Sequence, residues 1–324
     1  MKILVTGGAG YIGSHITRQA QRQSHDVCVL DDFSTGNEWA VKDCETLRVN
    51  LLDKDLLKKC LRGRNFDGVI HLAAKSLVGE SIINPYTYYE NNIVGSLNLL
   101  NEMLRNDIHR IVFSSTAAIF GNPRTNIIRE DHPKNPINPY GRTKLVVENF
   151  LNDLSISKKL SAVCLRYFNA AGADPDGELG EAHDPETHLI PTILNSYDRA
   201  KQPFKVFGND YPTPDGTCIR DYVHVNDLAD AHLLALQKLQ NTDGFSEYNL
   251  GSSVKNSVME VIKTCEGVTG RTLNYEIDEH RLGDPAVLVA DNTKALTELG
   301  WQPVFNNLDK IIETAWNWHK RLSM

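Results

Sequence analysis

The chain has 324 residues, enough to bury a large core and to divide into two lobes, with 41% apolar and 23% charged residues. Its formal charge of -7 and pI near 5.9 give no electrostatic reason to expect a nucleic-acid or anionic-membrane partner. No apolar run approaches the roughly 20 residues of a bilayer span. The six cysteines, at 28, 44, 60, 164, 218 and 265, show no Cys-x-x-Cys spacing, so reduced thiols and a cytoplasmic location are expected. Met1-Lys2-Ile3 leads straight into the first apolar run, so no signal peptide is expected.

Lys2-Ile3-Leu4-Val5-Thr6 is a short β-branched run, followed by Gly7-Gly8-Ala9-Gly10-Tyr11-Ile12-Gly13 and then a helix-compatible stretch through Gln21. Strand, glycine turn and helix in that order predict a dinucleotide site. Glycine permits positive φ and close backbone approach to a pyrophosphate, which the free N–H groups at a helix start then hold. The next predicted strand, Asp26 to Leu30, ends at Asp31-Asp32, the spacing expected of an acid that bonds a ribose diol. A carboxylate there repels a 2′-phosphate, so the expected cofactor is NAD rather than NADP.

Strands and helices then alternate: strand Leu47 to Asn50, helix Asp53 to Arg62, strand Gly68 to Ala74, a long helix from about Pro85 to Arg105, and strand Arg110 to Thr116. Crossover connections of this kind predict an α/β fold built on a doubly wound, Rossmann-like parallel sheet. In such sheets ligands lie beyond the carboxyl ends of the strands. Ala73-Ala74, Ser114-Ser115-Thr116 and Tyr167-Phe168-Asn169 should therefore line one crevice.

Tyr140 and Lys144 follow in Asn138-Pro139-Tyr140-Gly141-Arg142-Thr143-Lys144. Residues four apart share a helix face, so a phenol and an ammonium can reach one substrate. A free tyrosine, with a pKa of about 10, is phenolate in roughly one molecule in a thousand at neutral pH. An adjacent lysine cation and a cationic nicotinamide ring would favour the phenolate and make it a base. The Thr116 hydroxyl can bond the same substrate oxygen.

After Asn169 the character changes. Ala170 to Glu186 is rich in Gly, Asp, Glu and Pro and reads as a loop at a lobe boundary. The expected division is an NAD-binding domain over 1–170 and a smaller C-terminal lobe over 171–324 for substrate. A segment of about 220–250 is expected to return to the first domain. A helix is predicted from Asn226 to Leu239 and a closing helix from about Leu308 to Leu322. Arg220 and Arg281 stand in Gly- and Asp-rich turns and are candidates for a diphosphate clamp, since guanidinium groups present fork-like donors to phosphate. His183 and His188 flank a loop, and His224 and His232 are too far apart to share adjacent helical turns, so no metal is expected.

Gly7-x-x-Gly10-Tyr11-Ile12-Gly13, Tyr140-x-x-x-Lys144, Arg166-Tyr167-Phe168-Asn169 and the run from Phe207 to Asp230 together resemble the UDP-glucose 4-epimerase family of extended short-chain dehydrogenase/reductases. The resemblance spans essentially the whole chain. It implies interconversion of UDP-glucose and UDP-galactose by oxidation at C4, rotation of the 4-keto sugar and re-reduction, with NAD retained throughout. By the same resemblance Tyr140, Lys144 and Thr116 are catalytic. Cofactor contacts would come from the glycine turn, from Asp31, Asp32, Phe33, Ser34, Thr35 and Gly36, and from Asn50 and Leu51. Leu72, Ala73, Ala74, Ser76, Asn91 and Phe168, with Thr116, Tyr140 and Lys144, complete that set. UDP-sugar would meet Asn169, His188, Leu189, Phe207, Arg220, Arg281, Asp284 and Leu288 besides Thr116 and Tyr140. A homodimer fits the family.

Several positions depart from the family's pattern. Asn50 stands where an Asp commonly bonds the adenine amino group, and its amide oxygen can accept that bond. Ser76 replaces a Lys near the cofactor, with Lys75 beside it, and Thr116 replaces a Ser. His188 replaces an Asn, and the plainer expectation for it is a polar side chain bonding backbone. Leu288 sits at a gate where a bulky Tyr excludes N-acetylated sugars and a small residue admits them, so epimerisation of UDP-N-acetylhexosamines is an alternative. A nucleotide-sugar dehydratase is a further alternative, but elimination of water needs an acid beside Thr116, and Ala117-Ala118 stand there. The same scaffold could also serve a decarboxylase or a non-catalytic NAD-binding regulator. Such a regulator would be expected to lose Tyr140 or Lys144.

Overall fold

The computed structural model describes residues 1–198, 202–280 and 285–322. Seven strands form one sheet: β1 (Lys2–Thr6), β2 (Asp26–Asp31), β3 (Glu45–Arg48), β4 (Gly68–His71), β5 (Arg110–Thr116), β6 (Ser161–Tyr167) and β11 (Phe245–Leu250). Their spatial order is β11-β6-β5-β4-β1-β2-β3, and every pairing is parallel. This is a Rossmann-like doubly wound sheet. Its strand order reverses between β1 and β4, the switch point at which ligands bind in such sheets.

Both faces are buried, and the period-2 alternation of β1 shows how. Ile3 and Val5 point into a cluster with Ile16 and Ala20 of α1 (Tyr11–Arg22) and with Leu228, Leu233 and Leu236 of the helix Val225–Asn241. Leu4 points the other way, into a cluster fed by α2 (Lys54–Leu61), α3 (Gly95–Arg105) and α4 (Pro139–Ile156). Asp53 starts α2 by accepting a hydrogen bond from Leu56 N–H at 3.0 Å, and Asn138 starts α4 the same way through Gly141 N–H at 2.8 Å.

Three predicted bounds move. β4 stops at His71 because Leu72 and Ala73 both turn their N–H groups to Thr6 O, at 3.0 and 3.1 Å, leaving 72–74 as floor rather than strand. β3 lies at Glu45–Arg48 because the chain turns at Asn50, whose side chain accepts from Leu52 N–H at 2.8 Å. Helical structure before α3 begins at Val78, with short helices Val78–Ile83 and Pro85–Tyr88 and a π-type turn Tyr89–Val94.

The second lobe gathers α5 (Leu189–Asp198), α7 (Val258–Thr269) and α8 (Leu308–Leu322) around Ile193, Val206, Ile262 and Ile312. α6 (Val225–Asn241) lies between α5 and α7 in sequence but packs on α1 and the main sheet, and β11 joins that sheet beside β6. Short strands complete the lobe: β7 (Asn169–Ala171) with β10 (Tyr222–His224), β8 (Phe204–Phe207) with β13 (Tyr275–Asp278), and β9 (Ile219–Arg220) between β12 (Asn256–Ser257) and β14 (Val287–Leu288). No described helix is long and apolar enough to cross a membrane.

Candidate active site

A cleft of about 1920 Å³ opens over the carboxyl ends of β1, β2, β4, β5 and β6. A pocket for one small ligand usually spans about 300–1,000 Å³, so this volume accommodates two. The turn between β1 and α1 forms its floor. Gly7 takes φ +71°, and a Cβ there would meet Ala73 N at 2.6 Å; one on Gly13 would meet Gly7 O at 2.1 Å. Gly10 is different. Its φ is -76°, and a Cβ would find only Gly7 O, at 3.4 Å. The protein itself leaves room for a side chain at Gly10, so the space above it suits a ligand approaching the backbone. No side chain caps α1, and its first amides face the cleft as an anion-binding N-terminus. These features fit the pyrophosphate of NAD.

Asp31, at the end of β2, accepts from Ala9 N–H at 2.9 Å and Phe33 N–H at 2.8 Å. The acid therefore braces the glycine turn while it lines the cleft. Asp32, Ser34, Thr35, Gly36, Asn50 and Leu51 line it as well, as do Tyr11, Ile12, Leu72, Ala73, Ala74, Ser76, Asn91 and Phe168. Phe33 does not: it packs with Ala9, Val29 and Val41, and Arg48 lies 4.9 Å over its ring. Its N–H bonds Asp31, so Phe33 braces the acid that lines the cleft. The Asn50 amide is also engaged, its nitrogen donating to Asp32 at 2.7 Å and its oxygen accepting from Leu52 N–H.

Tyr140 and Lys144 lie on the buried face of α4, 8% and 4% exposed. Burial raises the Tyr140 pKa, and a hydrogen bond with Thr116, at the end of β5, pulls it down. Lys144 donates to Ser114 O at 2.8 Å and sits 4.8 Å over the Phe113 ring. Burial draws its pKa down to about 7, against the carboxylate of Glu148. Desolvation thus pushes both side chains toward their neutral forms.

Two residues that position this group, Glu148 and Asn92, have no counterpart in the sequence reading. Glu148, one turn beyond Lys144, pairs with Arg166 of β6 at 2.8 and 3.0 Å and accepts from Ser115 at 2.5 Å, tying α4 to β5 and β6. Its spacing from Lys144 was a usable signal. Asn92 bridges Lys75 O and Thr143 Oγ1, each at 3.0 Å. Tyr167, expected to line the crevice, does so and bonds Ser114; burial raises its pKa, and the neighbouring Tyr140 raises it further. Nothing local in the sequence marks Asn92.

Asn169, His188, Leu189, Phe207, Arg220 and Leu288 come from separate segments to line the same cleft. Arg220 is buried and donates to Ile219 O at 2.8 Å, and Leu288 pairs with it in register between β14 and β9. Arg281 and Asp284 lie outside the described residues. His188 does not bond backbone through its ring as expected. Burial would lower its pKa, but its Nδ1 meets the Glu181 carboxylate, which pushes it up to about 9. His183, expected merely to flank the loop, shares that carboxylate at 3.0 Å.

The profile of the NAD dependent epimerase/dehydratase family matches residues 3–251. The chain is 48% identical to a UDP-glucose 4-epimerase of Halalkalibacterium halodurans over 99% of its length and 96% of that protein. It superposes with TM-score 0.94 on UDP-glucose 4-epimerase from Brucella ovis in complex with NAD, at 43% identity over 97% of each chain. UDP-glucose 4-epimerase from Bifidobacterium longum, in complex with NAD+ and UDP, matches with TM-score 0.94 and 35% identity over 99% of this chain and 98% of that one.

Proposed function

The chain belongs to the NAD dependent epimerase/dehydratase family, and from that premise we propose that it interconverts UDP-glucose and UDP-galactose by inverting C4 of the sugar. The observation that carries this reading is that Tyr140, Thr116 and Lys144 line the same cleft as the glycine turn. NAD, when bound, supplies a hydride acceptor for the sugar and returns the hydride.

Tyr140 takes the proton of the 4-hydroxyl as the C4 hydride leaves, and the sugar becomes a ketone. Thr116 holds the same oxygen and shares that proton. When the ketone has turned over and the hydride returns to its opposite face, Tyr140 gives the proton back to the oxygen. Lys144 sits in the same buried pocket, where a low dielectric strengthens its field on the forming phenolate. Asn169, Leu189, Phe207 and Arg220 grip the nucleotide end. Few directional bonds then remain to resist rotation of the sugar.

Incubation with UDP-galactose, without added NAD, should yield UDP-glucose. Absence of conversion even after NAD is supplied would sink the reading; conversion only with added NAD keeps the mechanism and removes tight retention. Leu288 supports a second substrate, since its side chain is shorter than a tyrosine and it lines the cleft beside Arg220. UDP-N-acetylgalactosamine should therefore turn over at a measurable rate.

The same reading includes a homodimer. Ile82, Ile83, Tyr86, Val94 and Leu97 along the Val78–Arg105 run and Val146 on α4 are exposed apolar side chains on neighbouring helices, and a second copy would cover them. Sedimentation velocity at micromolar concentration should give a dimer, and a monomer there would overturn this part. The six free cysteines fit a reducing, cytoplasmic compartment.

A further inference from the structure

Glu181, His183, Glu186 and His188 occupy eight consecutive positions between the glycine turn and α5. One ligand atom from each lies within 4.8 Å of all the others. His183 Nδ1 is 3.0 Å from Glu181 Oε1 and 3.8 Å from Glu186 Oε2. His188 Nδ1 contacts the same Glu181 oxygen and lies 3.9 Å from Glu186 Oε1. A tetrahedral ion with ligands at about 2.0–2.2 Å places its donor atoms about 3.3–3.6 Å apart. The observed separations straddle that figure.

We propose that these four side chains form a binding site for a divalent transition-metal ion of the Zn²⁺ class. Three features favour an ion over a plain hydrogen-bonded knot. Both imidazoles aim Nδ1 at one carboxylate oxygen, so a knot must crowd two N–H donors onto a single acceptor. The Glu186 carboxylate lies beside that of Glu181, and although its Oε1 accepts from the Thr187 and His188 N–H groups at 2.7 and 2.9 Å, no ring nitrogen comes closer than 3.8 Å, leaving two acids side by side that a cation would reconcile. Imidazole and carboxylate together suit Zn²⁺, whereas Mg²⁺ and Ca²⁺ take oxygen ligands.

Four protein ligands close the coordination shell, which makes the site structural. Its surroundings say what it would hold. The Glu181 carbonyl accepts from Trp318 Nε1 at 2.8 Å, and His183 packs edge-on against Tyr11 of the glycine turn with ring centroids 6.2 Å apart. His188 leads directly into Leu189 and α5. An ion here would fasten the segment that carries His188 and Leu189 to the cofactor floor. The Glu181 and Glu186 side chains are nearly covered and that of His188 is half exposed, so an ion would arrive from the His188 side.

The test uses tag-free, full-length protein stripped with a chelator, with Zn²⁺ titrated against a chromophoric competitor. One equivalent should bind with sub-micromolar affinity. His183→Ala and the size-preserving Glu186→Gln should each weaken it at least tenfold, with folding of both variants checked by circular dichroism in chelator. Co²⁺ in place of Zn²⁺ should give tetrahedral visible bands without a thiolate charge-transfer band. No stoichiometric binding, equal binding by both variants, or a cobalt spectrum showing sulfur ligation would each overturn the proposal.

Discussion

Backbone makes one wall of the cleft and side chains make the other. From Gly7 to Gly13 the chain presents amides and glycines fixed against Ala73 N and Gly7 O, and Asp31 braces them through two N–H groups. The other wall, which the proposed function assigns to the substrate, instead assembles Asn169, His188, Leu189, Phe207, Arg220 and Leu288 from segments that are distant in sequence. A ligand meant to stay needs a rigid, pre-formed cradle, and one whose sugar must turn needs a grip at one end only. Tyr140, Thr116 and Lys144 stand where the two walls meet.

The largest expected effect tests that junction. Tyr140→Phe removes the hydroxyl that shares a proton with Thr116 while keeping the ring that α4 buries. It should lower kcat by about 10²–10⁴-fold and leave NAD content unchanged. Near-normal turnover would assign the proton to another group, and loss of NAD would show that the two walls are not separable.

Next comes a pair within the backbone wall. Gly13→Ala drives a methyl into Gly7 O and should cost about 1–3 kcal/mol of stability in the absence of cofactor. Gly10→Ala meets only ordinary contact within the protein. It should leave the cofactor-free protein within about 1 kcal/mol of wild type and still lower NAD affinity at least about tenfold. Equal destabilisation by both changes, measured by urea unfolding without NAD, would remove the distinction between a turn built for the fold and a turn built for the ligand.

The same contrast explains what was legible in the sequence. The glycines, Asp31 and the Tyr140–Lys144 spacing announce themselves because backbone geometry and helix period are local properties. β4 stops short because a distant residue, Thr6, takes the Leu72 and Ala73 N–H groups, and β3 because the Asn50 side chain turns the chain through Leu52 N–H. The ring of Phe33 turns to Val41 while its neighbours along the chain line the cleft, a difference that no sequence pattern marks. The meeting of His183 and His188 at Glu181 depends on how a loop closes, which no periodicity encodes.

A smaller effect, and one of opposite sign for stability and activity, is expected at Lys144. Its pKa of about 7 in the fold lies below the 10.5 of the free side chain. Between those values the unfolded chain holds a proton that the folded chain lacks, so this group's contribution to stability rises with pH across the window and its penalty is full below pH 7. Lys144→Met should therefore stabilise the fold by about 0.5–2 kcal/mol at pH 7, less by pH 10, while activity falls. Denaturation at the two pH values would decide it: an advantage that does not shrink with pH would mean that packing, and not the buried amine, sets the difference.

The smallest effect belongs to the substrate wall. Leu288 sits on the two-residue strand β14, held in register with Arg220, and packs against the cluster of Ala117, Ile119, Phe120 and Ile128. A change there alters room for the sugar without touching the glycine turn or the proton path. Leu288→Tyr should lower kcat/KM for UDP-N-acetylgalactosamine about tenfold, the effect of about 1–3 kcal/mol expected from a pocket-size change, and Leu288→Ala should raise it. UDP-galactose should respond by less than about threefold, since it lacks the acetamido group that the gate would meet. Parallel changes for both sugars would place Leu288 on the grip rather than the gate, because a residue holding the nucleotide end affects every UDP-sugar alike.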